Sequence, residues 1–91
     1  MRESAIEGYL VKKVQSMGGE IRKVKWIGRR GAPDRCVMLK GLPTLWIELK
    51  APGQKAKPHQ IREHNRMRAM GQTVLVFDSI DEIDNYFRGV I

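Results

Sequence analysis

Ile47-Glu48-Leu49-Lys50 sets an acid and a base two residues apart in an apolar run. On a strand such residues share a face. Glu48 and Lys50 then point one way with Trp46, while Leu45, Ile47 and Leu49 point into a core. Upstream, Gly31-Ala32-Pro33-Asp34 places a second carboxylate just before another short apolar run. If residues 35–39 and 44–49 form a hairpin with the three-residue loop 41–43, paired positions sum to 84. Cys36 then faces Glu48, Asp34 faces Lys50, and Asp34 and Glu48 become diagonal neighbours about 7–8 Å apart. A two-residue loop would turn Asp34 to the other face. Two carboxylates at that separation can converge on one divalent ion. Singly the motifs are ordinary: an acid and a base on a strand end make a surface pair worth ~0–1 kcal/mol, and Asp after Pro is a common turn residue.

The donor types select the ion. One cysteine, Cys36, and two histidines five residues apart, His59 and His64, do not make a zinc site, and the histidines read as structural or phosphate-facing. Carboxylates suit a hard cation, Mg²⁺ or Mn²⁺. Such an ion beside a lysine fits phosphodiester hydrolysis, where charge develops on a phosphate.

The elements that must position these groups follow from periodicity. Residues 4–17 predict a helix with Ile6, Leu10, Val14 and Met17 on one stripe, Ser4 as N-cap with Glu7 completing a capping box, and Gly18-Gly19 as its stop. Residues 21–27 suit a strand and 28–33 a loop. The two strands of the hairpin follow. Pro58 opens a helix to about Met70, closed by Gly71, and residues 73–77 make a short buried strand. Ser79 and Glu82 form a second capping box, opening a last helix through Tyr86 and Phe87. The order is αβββαβα, a mixed α/β domain filling residues 1–91.

With 91 residues, 42% of them hydrophobic, the chain can bury a core but has room for one domain. No apolar run approaches 18 residues and no apolar signal region opens the chain, so no membrane partner and a cytoplasmic location are expected. The formal charge is +7. Residues 1–50 contribute +6, residues 51–77 +4, and the tail 78–91 contributes −3. The densest cluster is Arg22, Lys23, Lys25, Arg29, Arg30 and Arg35, broken only by Asp34. A basic run is often a solvated face; one wrapped around an acid pair points to a polyanion, nucleic acid above all.

In order, these motifs resemble the PD-(D/E)xK nuclease superfamily, and more closely its VRR-NUC branch, the small virus-type replication-repair nucleases that stand alone in phages. The likeness spans essentially all 91 residues: Ile6-Glu7, Gly18-Gly19, Arg30 to Asp34, Ile47 to Gly53, and Gln60 ten past the lysine. It implies a minimal restriction-endonuclease-like fold with a mixed central sheet flanked by helices. It further implies Asp34, Glu48 and the Leu49 backbone carbonyl as metal ligands and Lys50 as the residue that positions water or supports the phosphate. Glu7 would be the helix-one acid, with Glu3 as its rival, and Gln60 would brace the site. Arg22, Lys23, Lys25, Arg29 and Arg30, with Lys55 and Lys57, would hold the DNA backbone. Phosphate contacts carry no sequence code, so structure selectivity is expected. The resemblance implies an endonuclease for branched DNA, similar to Holliday-junction resolvases, acting as a homodimer without a small-molecule cofactor. Nucleases for flaps, nicks or linear ends are alternatives, as are a silent DNA-binding module and a basic assembly protein. Met67, Met70, Tyr86, Phe87, Val90 and Ile91 are apolar candidates for a second copy, although core packing suits Met67, Tyr86 and Phe87 better. Trp26 or Trp46 could stack on a base, but packing is the better reading for both.

Overall fold

A computed structural model describes residues 2–90. In chain order the elements are α1 (Glu3–Ser16), β1 (Glu20–Lys23), β2 (Arg35–Met38), β3 (Leu45–Leu49), α2 (Pro58–Ala69), β4 (Thr73–Phe77) and α3 (Ile80–Arg88). The expected αβββαβα order is therefore present. The four strands lie side by side in sequence order, β1, β2 and β3 antiparallel and β4 parallel to β3. Only a crossover connection can join two parallel neighbours, and α2 is that crossover.

The core occupies one face of the sheet. Ile6, Leu10 and Val14 of α1 meet Val37, Leu45, Ile47 and Leu49 of the strands, and Ile83 and Phe87 of α3 close the cluster. The stripe of α1 is thus buried as its spacing predicts. Its start is not: Arg2 occupies the N-cap and no side chain caps the helix. The expected Ser4–Glu7 box fails because Ser4 lies inside the first turn and Glu7 is engaged by Arg35. At α3, Ser79 Oγ does accept from the Glu82 N–H at 3.1 Å, but Glu82 answers to the Asp78 N–H at 2.8 Å, one residue earlier than a capping box requires.

The hairpin register differs from the expected one by two positions. Arg35 faces Ile47 and Cys36 faces Trp46, so paired numbers sum to 82. The turn sits in residues 39–42, where the Leu42 N–H donates to Leu39 O at 3.1 Å, one residue earlier than assumed. Because side chains alternate with period two, a slip of two leaves every face unchanged. One further step in this register sets Asp34 opposite Glu48, directly rather than diagonally. The first strand is also shorter than expected, ending at Lys23. Val24 still donates to Asp34 O at 3.0 Å, after which the chain leaves the sheet and Trp26 reaches across to α2.

α2 covers the opposite face with polar residues. Only Ile61 and Met67 are apolar between Pro58 and Ala69, and Ile61 is exposed. Its inward side is Gln60, Glu63 and His64, the last two buried.

Candidate active site

Glu48 and Lys50 lie at the C-terminal end of β3, where the Lys50 N–H donates to Phe77 O at 2.9 Å and keeps the strand end paired. Asp34 enters β2 alongside. Its Oδ1 accepts from the Leu49 N–H at 3.3 Å, tying this carboxylate to the backbone between Glu48 and Lys50. Glu48 is buried, and its Oε2 meets Lys50 Nζ at 3.3 Å and the Gln60 amide Nε2 at 3.1 Å. The same Gln60 accepts from the Lys57 N–H at 2.8 Å through Oε1. One side chain thus caps α2 and orients the acid, with its oxygen and nitrogen both committed.

Both acids resist ionisation. Burial, then the neighbouring Glu48 charge, pushes Asp34 up to about 7; the Leu49 N–H and Lys50 pull the other way. Burial raises Glu48 as well, opposed by Lys50 and Gln60 and reinforced by Glu3. Carboxylates withdrawn from water that repel one another favour either a proton or a cation between them. That chemistry fits a divalent ion. Among the described residues no three of His, Cys, Asp and Glu cluster as metal ligands, so the side-chain donors here are a pair.

The two helix-one acids occupy different places. Glu7 pairs with Arg35, whose guanidinium is nearly buried, lies 3.9 Å from Asp34 Oδ1 and donates to Asp34 O at 2.8 Å. Glu3 is exposed, and its charge reaches Asp34, Glu48 and Arg35.

Among the expected DNA contacts, Arg22, Lys23, Lys25, Arg29, Arg30, Lys55 and Lys57 are all exposed. Three have carboxylate neighbours: Arg22 with Glu20 at 2.7 Å, Arg29 with Glu63 at 3.8 Å and Lys55 with Asp78 at 3.1 Å. Lys23, Lys25, Arg30 and Lys57 pair with no carboxylate among the described residues. His59 is held toward its neutral form by burial and by Arg30, Lys57, Arg62 and Lys50. The charge of all four cations is thus felt at His59, one residue before Gln60 at the start of α2.

The tryptophans pack as expected. Their rings tilt against each other at 5.8 Å, with Trp26 Nε1 donating to Glu63 at 2.7 Å and Trp46 Nε1 to Gln72 at 2.9 Å. Phe87 is fully buried, and Tyr86 and Val90 pack against the core, so these three are committed within the fold; Met70 is 76% exposed, and Ile91 lies outside the described residues. A cleft lined by Tyr9, Lys13, Asp84 and Arg88 lies between α1 and α3, on the other side of the sheet from Glu48. Its polar groups already have partners: the Tyr9 hydroxyl donates to Asp84 at 2.5 Å, Lys13 lies 3.7 Å from Asp84, and Arg88 donates to Asn85 at 3.0 Å.

Glu63 is the residue the spacing arguments miss. Buried on α2, it accepts from Trp26 and from Arg66 at 3.0 Å and draws Arg29. Gly31 seats the same loop on α2. Its φ is +92°, and a Cβ there would come within 2.8 Å of His59 O and 2.9 Å of Glu63 Cβ. The signal lay in polar residues recurring at 60, 63 and 64 on a helix almost without apolar ones.

No family model matches the chain. A protein of Acyrthosiphon pisum secondary endosymbiont phage 1 named "Putative nuclease p44" is 47% identical over 81 residues, covering 89% of this chain and 87% of its own. A solved structure described as a VRR_NUC domain superposes with a TM-score of 0.88 at 34% identity, covering 94% of each chain. With identity of this order carried along nearly its whole length, and the same arrangement of helices and strands, the chain belongs to the VRR-NUC family.

Proposed function

We propose that the protein is a divalent-metal-dependent endonuclease that hydrolyses phosphodiester bonds in branched DNA, acting as a homodimer. One observation carries this reading: two repelling carboxylates, partly buried Asp34 and buried Glu48, lie beside Lys50 and are bordered by exposed cations. With both acids ionised the pair costs the fold stability, and a bound cation would remove that cost.

Asp34, Glu48 and the Leu49 carbonyl would hold Mg²⁺ or Mn²⁺, which supplies Lewis acidity at the phosphate and countercharge to the acids. Lys50 Nζ, now on Glu48, has further protons to donate and is placed to hold water or a phosphate oxygen as negative charge develops. Gln60 holds Glu48 Oε2 and so would keep that carboxylate in place to receive the ion. Glu7 acts through Arg35, whose guanidinium orients Asp34; Glu3 adds negative potential that strengthens cation binding. Arg30, Lys23, Lys25 and Lys57 hold phosphates on either side, with Arg22, Arg29 and Lys55 joining once their carboxylate partners yield. Exposed Met70 offers apolar surface to the second copy.

The test incubates the protein with Mn²⁺ or Mg²⁺ and four-way, flap, nicked and linear DNAs of matched sequence. Preferential internal cleavage of the four-way substrate is expected. Preference for flaps or ends moves the substrate assignment, and binding without cleavage of any substrate supports a silent module.

A further inference from the structure

Ile27 is 99% exposed, the most exposed large apolar side chain described. It does not hang from a loose segment. Val24 is bonded to Asp34 O at 3.0 Å, Trp26 is bonded to Glu63 at 2.7 Å and packed at a tilt against Trp46, and Gly31 seats the far end of the loop on α2. Gly28, with φ +77°, turns the chain immediately after Ile27 and leaves it at the crest. Lys25, Arg29 and Arg30 flank it, all exposed. The same loop runs directly into Asp34. An apolar knob is therefore braced on a basic loop that leads to the acid pair.

We propose that Ile27 is a wedge that enters the base stack of bound DNA while Lys25, Arg29 and Arg30 hold the adjacent phosphates, an inference that rests on the nuclease reading. Aliphatic side chains serve this role by separating neighbouring bases, and the unstacking costs a few kcal/mol per step. The cost is smallest where bases are already unstacked, so the wedge favours branch points over continuous duplex. A second copy of this chain is a poorer occupant. Bringing two Ile27 crests together would also bring together Lys25, Arg29 and Arg30 from each copy, and among the described residues only Arg29 of these has a carboxylate partner. A polyanion relieves that repulsion.

The experiment uses a four-way junction carrying 2-aminopurine at the branch point and a duplex carrying it at mid-length, both in EDTA. Wild-type protein should raise junction fluorescence severalfold and duplex fluorescence little. Ile27→Ser should abolish the rise and weaken junction binding about tenfold, as expected for losing one buried isoleucine side chain, while Ile27→Leu preserves the rise. Full exposure of Ile27 makes these variants safe for folding. A junction signal and affinity unchanged in Ile27→Ser would overturn the wedge and leave the nuclease reading standing. So would a shift of Ile27→Ser from dimer to monomer in sedimentation, which would assign the crest to a second copy. Failure of the wild type to bind either DNA would sink both readings.

Discussion

Holding Asp34 beside Glu48 works against the metal-free fold, and the sign of that effect is testable. With Asp34 raised from 3.8 to about 7, the folded state binds more protons than the unfolded chain between those values. In EDTA, stability should therefore fall as pH rises through that window. Asp34→Asn removes the penalty: its melting temperature should match wild type near pH 4 and exceed it by several degrees above pH 7, a gain of about 1–3 kcal/mol after allowing for partial exposure. A wild-type melting temperature that climbs from pH 4 to 7, with no gain for the variant, would refute the placement of the pair. With Mn²⁺ the order should reverse, since only the wild type retains both proposed ligands. The two helix-one acids are separable in the same way. Glu7→Gln should lower stability by about 1–3 kcal/mol by leaving the nearly buried Arg35 without its charge partner. Glu3→Gln should leave the melting temperature close to wild type and lower the Asp34 pKa, read by NMR titration, because Glu3 raises it.

At the scale of elements, the loop over residues 24–33 and α2 form one unit. Gly31→Ala must displace His59 O or Glu63 Cβ and strain a backbone at φ +92°. A loss of about 1–3 kcal/mol follows, together with weaker Mn²⁺ binding by calorimetry because Asp34 follows on the same loop. An equally stable variant with full metal affinity would show that the loop is not held by this contact. Glu48, Lys50 and the buried stripe of α1 were legible because period-two and period-3.6 patterns report directly on faces. Glu63 and the Ile27 crest were not. A buried acid on a polar helix is explained only by the indole and guanidinium that come to it from a loop over thirty residues away. Ile27 in turn extends a run that alternates like a strand; the bond from Trp26 to α2 takes it out of the sheet. The register differs by two positions from the expected one because a turn one residue earlier is indistinguishable in composition. Asp34 keeps its face because a shift of two preserves the alternation of side chains.

For the whole molecule, charge asymmetry is the governing fact. The chain carries +7, with the net negative segment confined to residues 78–91, most of it in α3, which packs on the face away from Glu48. The basic side should dominate DNA binding, so the logarithm of affinity should fall linearly with the logarithm of salt, with a slope of roughly −0.9 per phosphate neutralised. Four to seven cations border the site, and charge removal at Lys25 and Arg30 together should flatten the slope by about two units. An unchanged slope would place the DNA elsewhere.

A hydrolytic centre of Asp34, Glu48 and Lys50 is distinguished from a binding surface by measuring cleavage and binding side by side, on one four-way DNA, for wild type and Lys50→Ala. Wild type should cut in Mn²⁺ or Mg²⁺ and stop in EDTA. Lys50→Ala should cut at least 10²-fold more slowly, the scale on which losing one charge-stabilising donor acts, while its dissociation constant stays within about threefold. Cleavage that persists in EDTA, or that survives intact in Lys50→Ala, would contradict the account.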